Sequence, residues 1–176
     1  GLDGIDFSTN SDCEPPLHLY ARDGIDFTDS LRGMYAIAIH DPGEGCLILA
    51  RDPFGIKPLY YIETPEMFAF ASEPQALIAA GLAEPVVTTE RRTELMQLQF
   101  TCGRDTIYDG IRRVLPGETL IVRDGRIVER KRRAALPAGG PRSTNIDEGL
   151  RILDDVLEES VTYHQRSDVP YGLFLS

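Results

Sequence analysis

Apolar residues come in short, dense stretches over most of the chain and recur at helical spacing only near its end. Met34–His40 and Cys46–Ala50 carry small and large apolar residues on successive positions, which predicts two strands buried on both faces. The turn cluster Asp41–Gly45 joins them as a hairpin. Leu59–Ile62 and Met67–Ala71 predict a second hairpin through Glu63–Glu66. Glu118–Val122 and Arg126–Glu129 flank Arg123-Asp124-Gly125, and the Asp-Gly pair marks a tight hairpin turn. Helix signals fall between these strands. Ser11 or Asp12 can cap a helix with Pro15 and Pro16 in its first turn, stopping at Gly24. A short helix is expected around Phe27–Leu31, and another over Pro74–Ala80 behind Ser72 as cap, ending at Gly81. Thr88 and Thr89 open a further helix, and Ile107–Val114 reads as loop or short strand. Apolar hairpins covered by helices predict an α+β sandwich of two sheets between helix layers.

The pattern then changes. Ala134–Asn145 is rich in Pro and Gly and reads as a linker. Asn145, with Glu148 three residues on, opens an amphipathic helix carrying Leu150, Leu153, Val156, Leu157 and Val161. Leu173–Leu175 is a short apolar strand. The expected organisation is a first domain over 1–133, a linker over 134–145 and the beginning of a second domain over 146–176. A buried-type strand at the last residue suggests a chain cut short, and open sheets in the first domain would make this stretch alone prone to aggregate or unfold.

Charge and cysteine usage narrow the chemistry. The 176 residues hold 18 Lys+Arg against 28 Asp+Glu, a net charge of −10, which argues against nucleic acid as a partner. The one basic cluster, Arg130–Arg133, reads as a solvated strand end or loop. No apolar run is long enough to span a membrane, and the first residues lack the pattern of a signal peptide. Cys13, Cys46 and Cys102 are widely spaced, and His18, His40 and His164 form no ligand pair, so no metal site is expected and a reducing cytoplasm fits best. The sequence Asp-Gly-Ile-Asp-Phe occurs at 3–7 and at 23–27, too short a match to be a structural repeat.

One motif stands out. Arg51-Asp52-Pro53-Phe54-Gly55-Ile56-Lys57-Pro58-Leu59-Tyr60-Tyr61 links two apolar strands. Arg51 and Asp52 can pair with each other or with buried backbone, Gly55 permits a tight bend, and Pro58 sets the entry into the next strand. By itself this is a structural signature.

Together with Gly33-Met34-Tyr35-Ala36, Ala71-Ser72-Glu73, Ser11-Asp12-Cys13-Glu14 and Leu19-Tyr20, it resembles the class II glutamine amidotransferases, most closely the glutamine-hydrolysing asparagine synthetases. Thr106–Ile111 and Leu115–Glu118 continue the resemblance, and Arg166–Pro170 with Leu173–Ser176 resembles the start of that family's synthetase domain. The resemblance implies an N-terminal-nucleophile hydrolase α-β-β-α sandwich, here incomplete, followed by the start of an α/β ATP-pyrophosphatase-like domain. It implies hydrolysis of glutamine by an N-terminal Cys thiol, with the free α-amino group as base. The ammonia released would attack an ATP-activated carboxylate, most commonly that of aspartate. Glutamine, ATP with Mg2+ and an amino-acid carboxylate are the partners so implied, and a homodimer is the assembly the resemblance allows.

Carried over residue by residue, Asp12 grips the α-amino group of glutamine, a suitable acceptor for an ammonium. Met34 and Ile56 line the ammonia passage. Leu175 touches the adenine nucleotide, and Ser176 begins the phosphate loop. Residue 1 is Gly, so the nucleophile and the segment that holds the oxyanion and the glutamine carboxylate are expected before it, and the rest of the phosphate loop after Ser176. Pro15, Pro16 and Lys131-Arg132-Arg133 depart from the family's usual residues. Two other readings stay open: a binding or regulatory module that has lost the chemistry, and a β-lactam-synthetase-like ligase that adenylates a different acid.

Overall fold

The computed structural model describes residues 4–136, 138, 139, 145–165, 167, 169, 170, 172 and 174. The chain divides into two compact units, 1–136 and 137–176.

The first unit begins with α1 (Glu14–Asp23), followed by a 3-10 helix over Gly24–Ser30. Strands β1 (Ala36–Asp41) and β2 (Cys46–Arg51) form the first hairpin, and β3 (Tyr60–Glu63) and β4 (Phe68–Ala71) the second. Helices α2 (Pro74–Ala79) and α3 (Thr89–Leu98) follow, then β5 (Arg112–Arg113), β6 (Glu118–Arg123) and β7 (Arg126–Arg132). Two antiparallel sheets result, one in the order β1-β2-β6-β7 and one in the order β4-β3-β5.

Three apolar clusters stack these elements in layers. Leu19 and Phe27, from α1 and the 3-10 helix, pack on Ile39, Cys46, Ile48 and Ile121 of the first sheet. The opposite face of that sheet meets the second sheet through Leu49, Leu120, Leu59, Tyr61 and Val114. Beyond it, Leu77 of α2 packs with Ile62 and Ile111. The order is helix, sheet, sheet, helix. Ile48 and Leu49 are neighbours on β2, point to opposite faces and are both fully buried, as expected for a strand between two layers.

Several local expectations hold for simple reasons. Asp124 and Gly125 both take positive φ, 48° and 72°, the backbone that a two-residue hairpin turn requires. Thr88 accepts a hydrogen bond from the Arg91 N–H and caps α3. The basic run Arg130–Arg133 lies along the end of β7, where Lys131 pairs with Asp26 and the Arg133 guanidinium donates to the Thr28 carbonyl at 3.0 Å.

Other expectations need correction. β1 is not buried on both faces: only Ile39 is fully enclosed, and Ala36, Ala38 and His40 are exposed. Among the described residues it pairs with β2 alone, and the face carrying Ala36, Ala38 and His40 is open. Neither Ser11 nor Asp12 caps α1. Cys13 occupies the cap position without a side-chain capping bond, and the Ser11 hydroxyl instead accepts the Cys13 N–H. Ser72 does not cap α2, whose N-cap is Glu73, again without a side-chain bond. The short helix after α1 is a 3-10 helix that starts directly at Gly24.

In the second unit, α4 (Ile146–His164) begins at Asn145, whose side chain accepts the Glu148 N–H at 2.7 Å. The expected strand at Leu173–Leu175 lies largely outside the described residues. Among the described residues, no helix is long and apolar enough to cross a membrane.

Candidate active-site groove and its supporting loop

Along β1 the fold opens a groove of about 620 Å3. Its walls come from the start of α1, from the approach to and face of β1, and from the end of the loop between β2 and β3. Asp12, Leu17, Met34, Ala38 and Lys57 are among the residues that line it. The lining is mainly apolar, with one acid, Asp12, and two bases, Arg32 and Lys57.

Asp12 is exposed and is not consumed by helix capping. The Cys13 thiol donates to its Oδ1 at 3.7 Å. Its neighbour Glu14 does the anchoring. The Glu14 carboxylate accepts the Thr9 hydroxyl at 2.6 Å and the N–H groups of Ser8 and Thr9 at 2.7 and 2.8 Å. These bonds, first that of the Thr9 hydroxyl, hold the Glu14 carboxyl down to about 2. The segment leading to Asp12 is thereby tied to the first turn of α1.

Met34 lines the same groove and is 44% exposed. Ile56 is 53% exposed on the β2–β3 loop, one residue before Lys57, which reaches the groove. The structure therefore brings Asp12 and Met34 to one groove and sets Ile56 on the loop that forms its far rim. Leu175 and Ser176 lie outside the described residues.

The β2–β3 loop is held by buried charge. Arg51 and Asp52 direct their hydrogen bonds to the backbone. The Arg51 guanidinium donates to the carbonyls of Lys57, Val114 and Gly55 at 2.7, 2.7 and 2.6 Å. Burial lowers its proton affinity from the ordinary arginine value. Asp52 is fully buried: its Oδ1 accepts the N–H groups of Phe54 and Ile56, and its Oδ2 that of Lys57, at 3.0 to 3.1 Å. Gly55 has a φ of 66°, and a Cβ there would lie 2.8 Å from the Pro116 ring, so the bend requires glycine.

A second buried set stands behind the loop. Arg104 makes a two-pronged contact with Glu118 at 2.8 and 2.6 Å, and Glu118 also accepts the Leu115 N–H at 2.8 Å. Arg104 and Arg130 both donate to the Tyr61 hydroxyl, at 3.3 and 3.2 Å. Glu118 raises the proton affinity of Arg104 above the ordinary arginine value.

Sequence reasoning missed Lys57 as a groove residue and Glu14 as an anchor. A charged side chain beside a proline carries no signal of which way it points. The Ser8-Thr9 pair ahead of Asp12 was the available hint for Glu14. Among the described residues, no group of three or more His, Cys, Asp or Glu could hold a metal ion.

Comparison with known proteins places this architecture. Residues 2–132 match the glutamine amidotransferase domain family. An asparagine synthetase (glutamine-hydrolysing) of Bacillus subtilis is 36% identical over 98% of this chain and 27% of its own length. The asparagine synthetase B (glutamine-hydrolysing) of Escherichia coli is 33% identical over 99% of this chain and 26% of its own length. The chain thus spans about a quarter of the length of these relatives. The solved structure of glutamine phosphoribosylpyrophosphate amidotransferase from B. subtilis superposes with a TM-score of 0.51 at 28% identity, covering 73% of this chain and 24% of that one. Motif order, layered sheets and whole-chain similarity agree, and the chain belongs to the glutamine amidotransferase domain family.

Proposed function

We propose that this chain is the glutamine-hydrolysing part of a longer ligase, in which glutamine yields ammonia and the ammonia attacks an ATP-activated carboxylate, that of aspartate, to form asparagine. The observation that carries this reading is the family match over residues 2–132, joined to a groove lined by the exposed carboxylate of Asp12. In this reading Asp12 receives the α-ammonium of glutamine through a charge-assisted hydrogen bond. The apolar side chains of Met34 and Ile56 flank the route of ammonia and keep it neutral and out of water.

The nucleophile of this reading is a thiol with a free α-amino group beside it. Cys13, Cys46 and Cys102 are internal and lack that base. The fold is then an N-terminal-nucleophile hydrolase sandwich, and α4 opens an ATP-pyrophosphatase-like domain. ATP with Mg2+ activates the carboxylate in that domain, with Leu175 and Ser176 at its nucleotide. A cytoplasmic location and a homodimer belong to the same reading.

The test is steady-state kinetics on the full-length protein. Ammonia should appear from glutamine, and asparagine should form when ATP and aspartate are added. Asp12→Asn should raise the KM for glutamine by about 10–100-fold, the loss of one hydrogen bond to a charged group, with ammonia-driven synthesis unchanged. No ammonia from glutamine, with or without ATP, overturns the reading.

A further inference from the structure

The carboxylate of Asp52 is fully buried, yet it touches no other charged side chain through its hydrogen bonds. It closes instead on three backbone N–H groups of one loop, those of Phe54, Ile56 and Lys57. The main chain of the same residue reaches the other side of the groove. The Asp52 N–H donates to the Tyr35 carbonyl at 3.0 Å, one residue from Met34. The Asp52 carbonyl accepts the N–H groups of Gly55 and Gly117 at 2.9 and 2.8 Å. Arg51, the preceding residue, holds the Gly55 and Lys57 carbonyls from the opposite direction. One dipeptide therefore registers the Met34–Tyr35 segment against the Ile56–Lys57 segment.

We propose that Arg51 and Asp52 are positioning residues that set the ammonia route, holding Ile56 and Lys57 at a fixed place relative to Met34. This role rests on the glutamine-dependent reading above. A loop of this length and exposure has little apolar burial of its own: Phe54 and Ile56 are 66% and 53% exposed. Its conformation depends on the two buried charges. Hydrogen bonds to a desolvated carboxylate are strong and directional, so replacing one acceptor oxygen by an amide NH2 sets donor against donor and frees that contact alone. Asp52→Asn, with its carbonyl oxygen kept at the Phe54 and Ile56 side, releases the Lys57 N–H in this way.

The experiment compares glutamine consumed with amide formed, in the full-length protein. In Asp52→Asn, the amide formed per glutamine should fall about ten-fold or more, the effect expected from one hydrogen bond to a charged group. The KM for glutamine and the rate of ammonia-driven synthesis should stay at wild-type values, which a general loss of structure would not allow. Hydrogen exchange should quicken at the Lys57 amide while that of the β2 amides is unchanged. Ile56→Ala, at an exposed side chain, serves as the second variant and should lower the same ratio without lowering the unfolding temperature. An unchanged ratio in both variants, or an unchanged exchange rate at Lys57, overturns the positioning role. A wild-type protein that releases no ammonia from glutamine overturns the functional reading instead, and the exchange measurement alone still reports whether Asp52 holds the loop.

Discussion

β1 and β2 are adjacent, antiparallel and each six residues long. Their compositions are similar, yet their surroundings are not. β2 lies between β1 and β6, with α1 on one face and the second sheet on the other, and five of its six residues are buried. β1 pairs with β2 alone among the described residues, and one of its residues, Ile39, is buried. The groove with Asp12 and Met34 opens on the β1 side. Among the described residues, the core lies along the strand covered on both faces and the candidate groove along the strand covered least.

The contrast can be broken most severely at β2. Leu49→Ala removes a fully buried side chain from between the sheets and should cost about 2–5 kcal/mol of stability, read from the unfolding transition of this domain in calorimetry. Next in size is Glu118→Gln at the start of β6, which supports β2 from its other side. It weakens the two-pronged Arg104 contact and should cost about 1.5–3 kcal/mol.

Thiol reactivity then sharpens the comparison. Cys46 on β2 is 5% exposed, while Cys13 and Cys102 are exposed. In the native domain a thiol reagent should label Cys13 and Cys102 quickly and Cys46 only after unfolding. Ala38→Cys on β1 should add one more fast-reacting thiol, and its failure to react would show that β1 is covered after all.

The smallest effect is electrostatic and lies at the start of α1, beside the groove. The Glu14 carboxyl is held down to about 2 from an ordinary 4.5. A depressed carboxylate contributes stability that is full above its unfolded value and is lost as protons bind. The anchoring of Ser8 and Thr9 should therefore be complete above about pH 4.5 and disappear as the pH falls from there through about 2. The amide chemical shifts of Ser8 and Thr9, followed over that range, check it, and Glu14→Gln should abolish the titration.

Much of the molecule was legible because its signals are local. The Asp124-Gly125 turn follows from which residues tolerate positive φ, and the Thr88 and Asn145 caps from side-chain oxygens within reach of their own helix. The family itself was readable from motif order. The cap of α1 was misread because Ser11, Asp12 and Glu14 all carry oxygens near the same turn, and geometry selects among them: Glu14 reaches back, and Asp12 is left to the groove.

Sequence alone determined the strand and turn pattern, the helix entries at Thr88 and Asn145, the absence of a long apolar span and the resemblance to amidotransferases. Each depends on residues close in the chain or on their order along it. Tertiary structure alone decided that one face of β1 is open, that Asp12 and Met34 share a groove, and that Arg51 and Asp52 bind backbone rather than each other. Those outcomes depend on which surfaces meet across long stretches of chain. Alternation of apolar residues shows that a face can be buried, but whether it is buried depends on the layer that arrives to cover it.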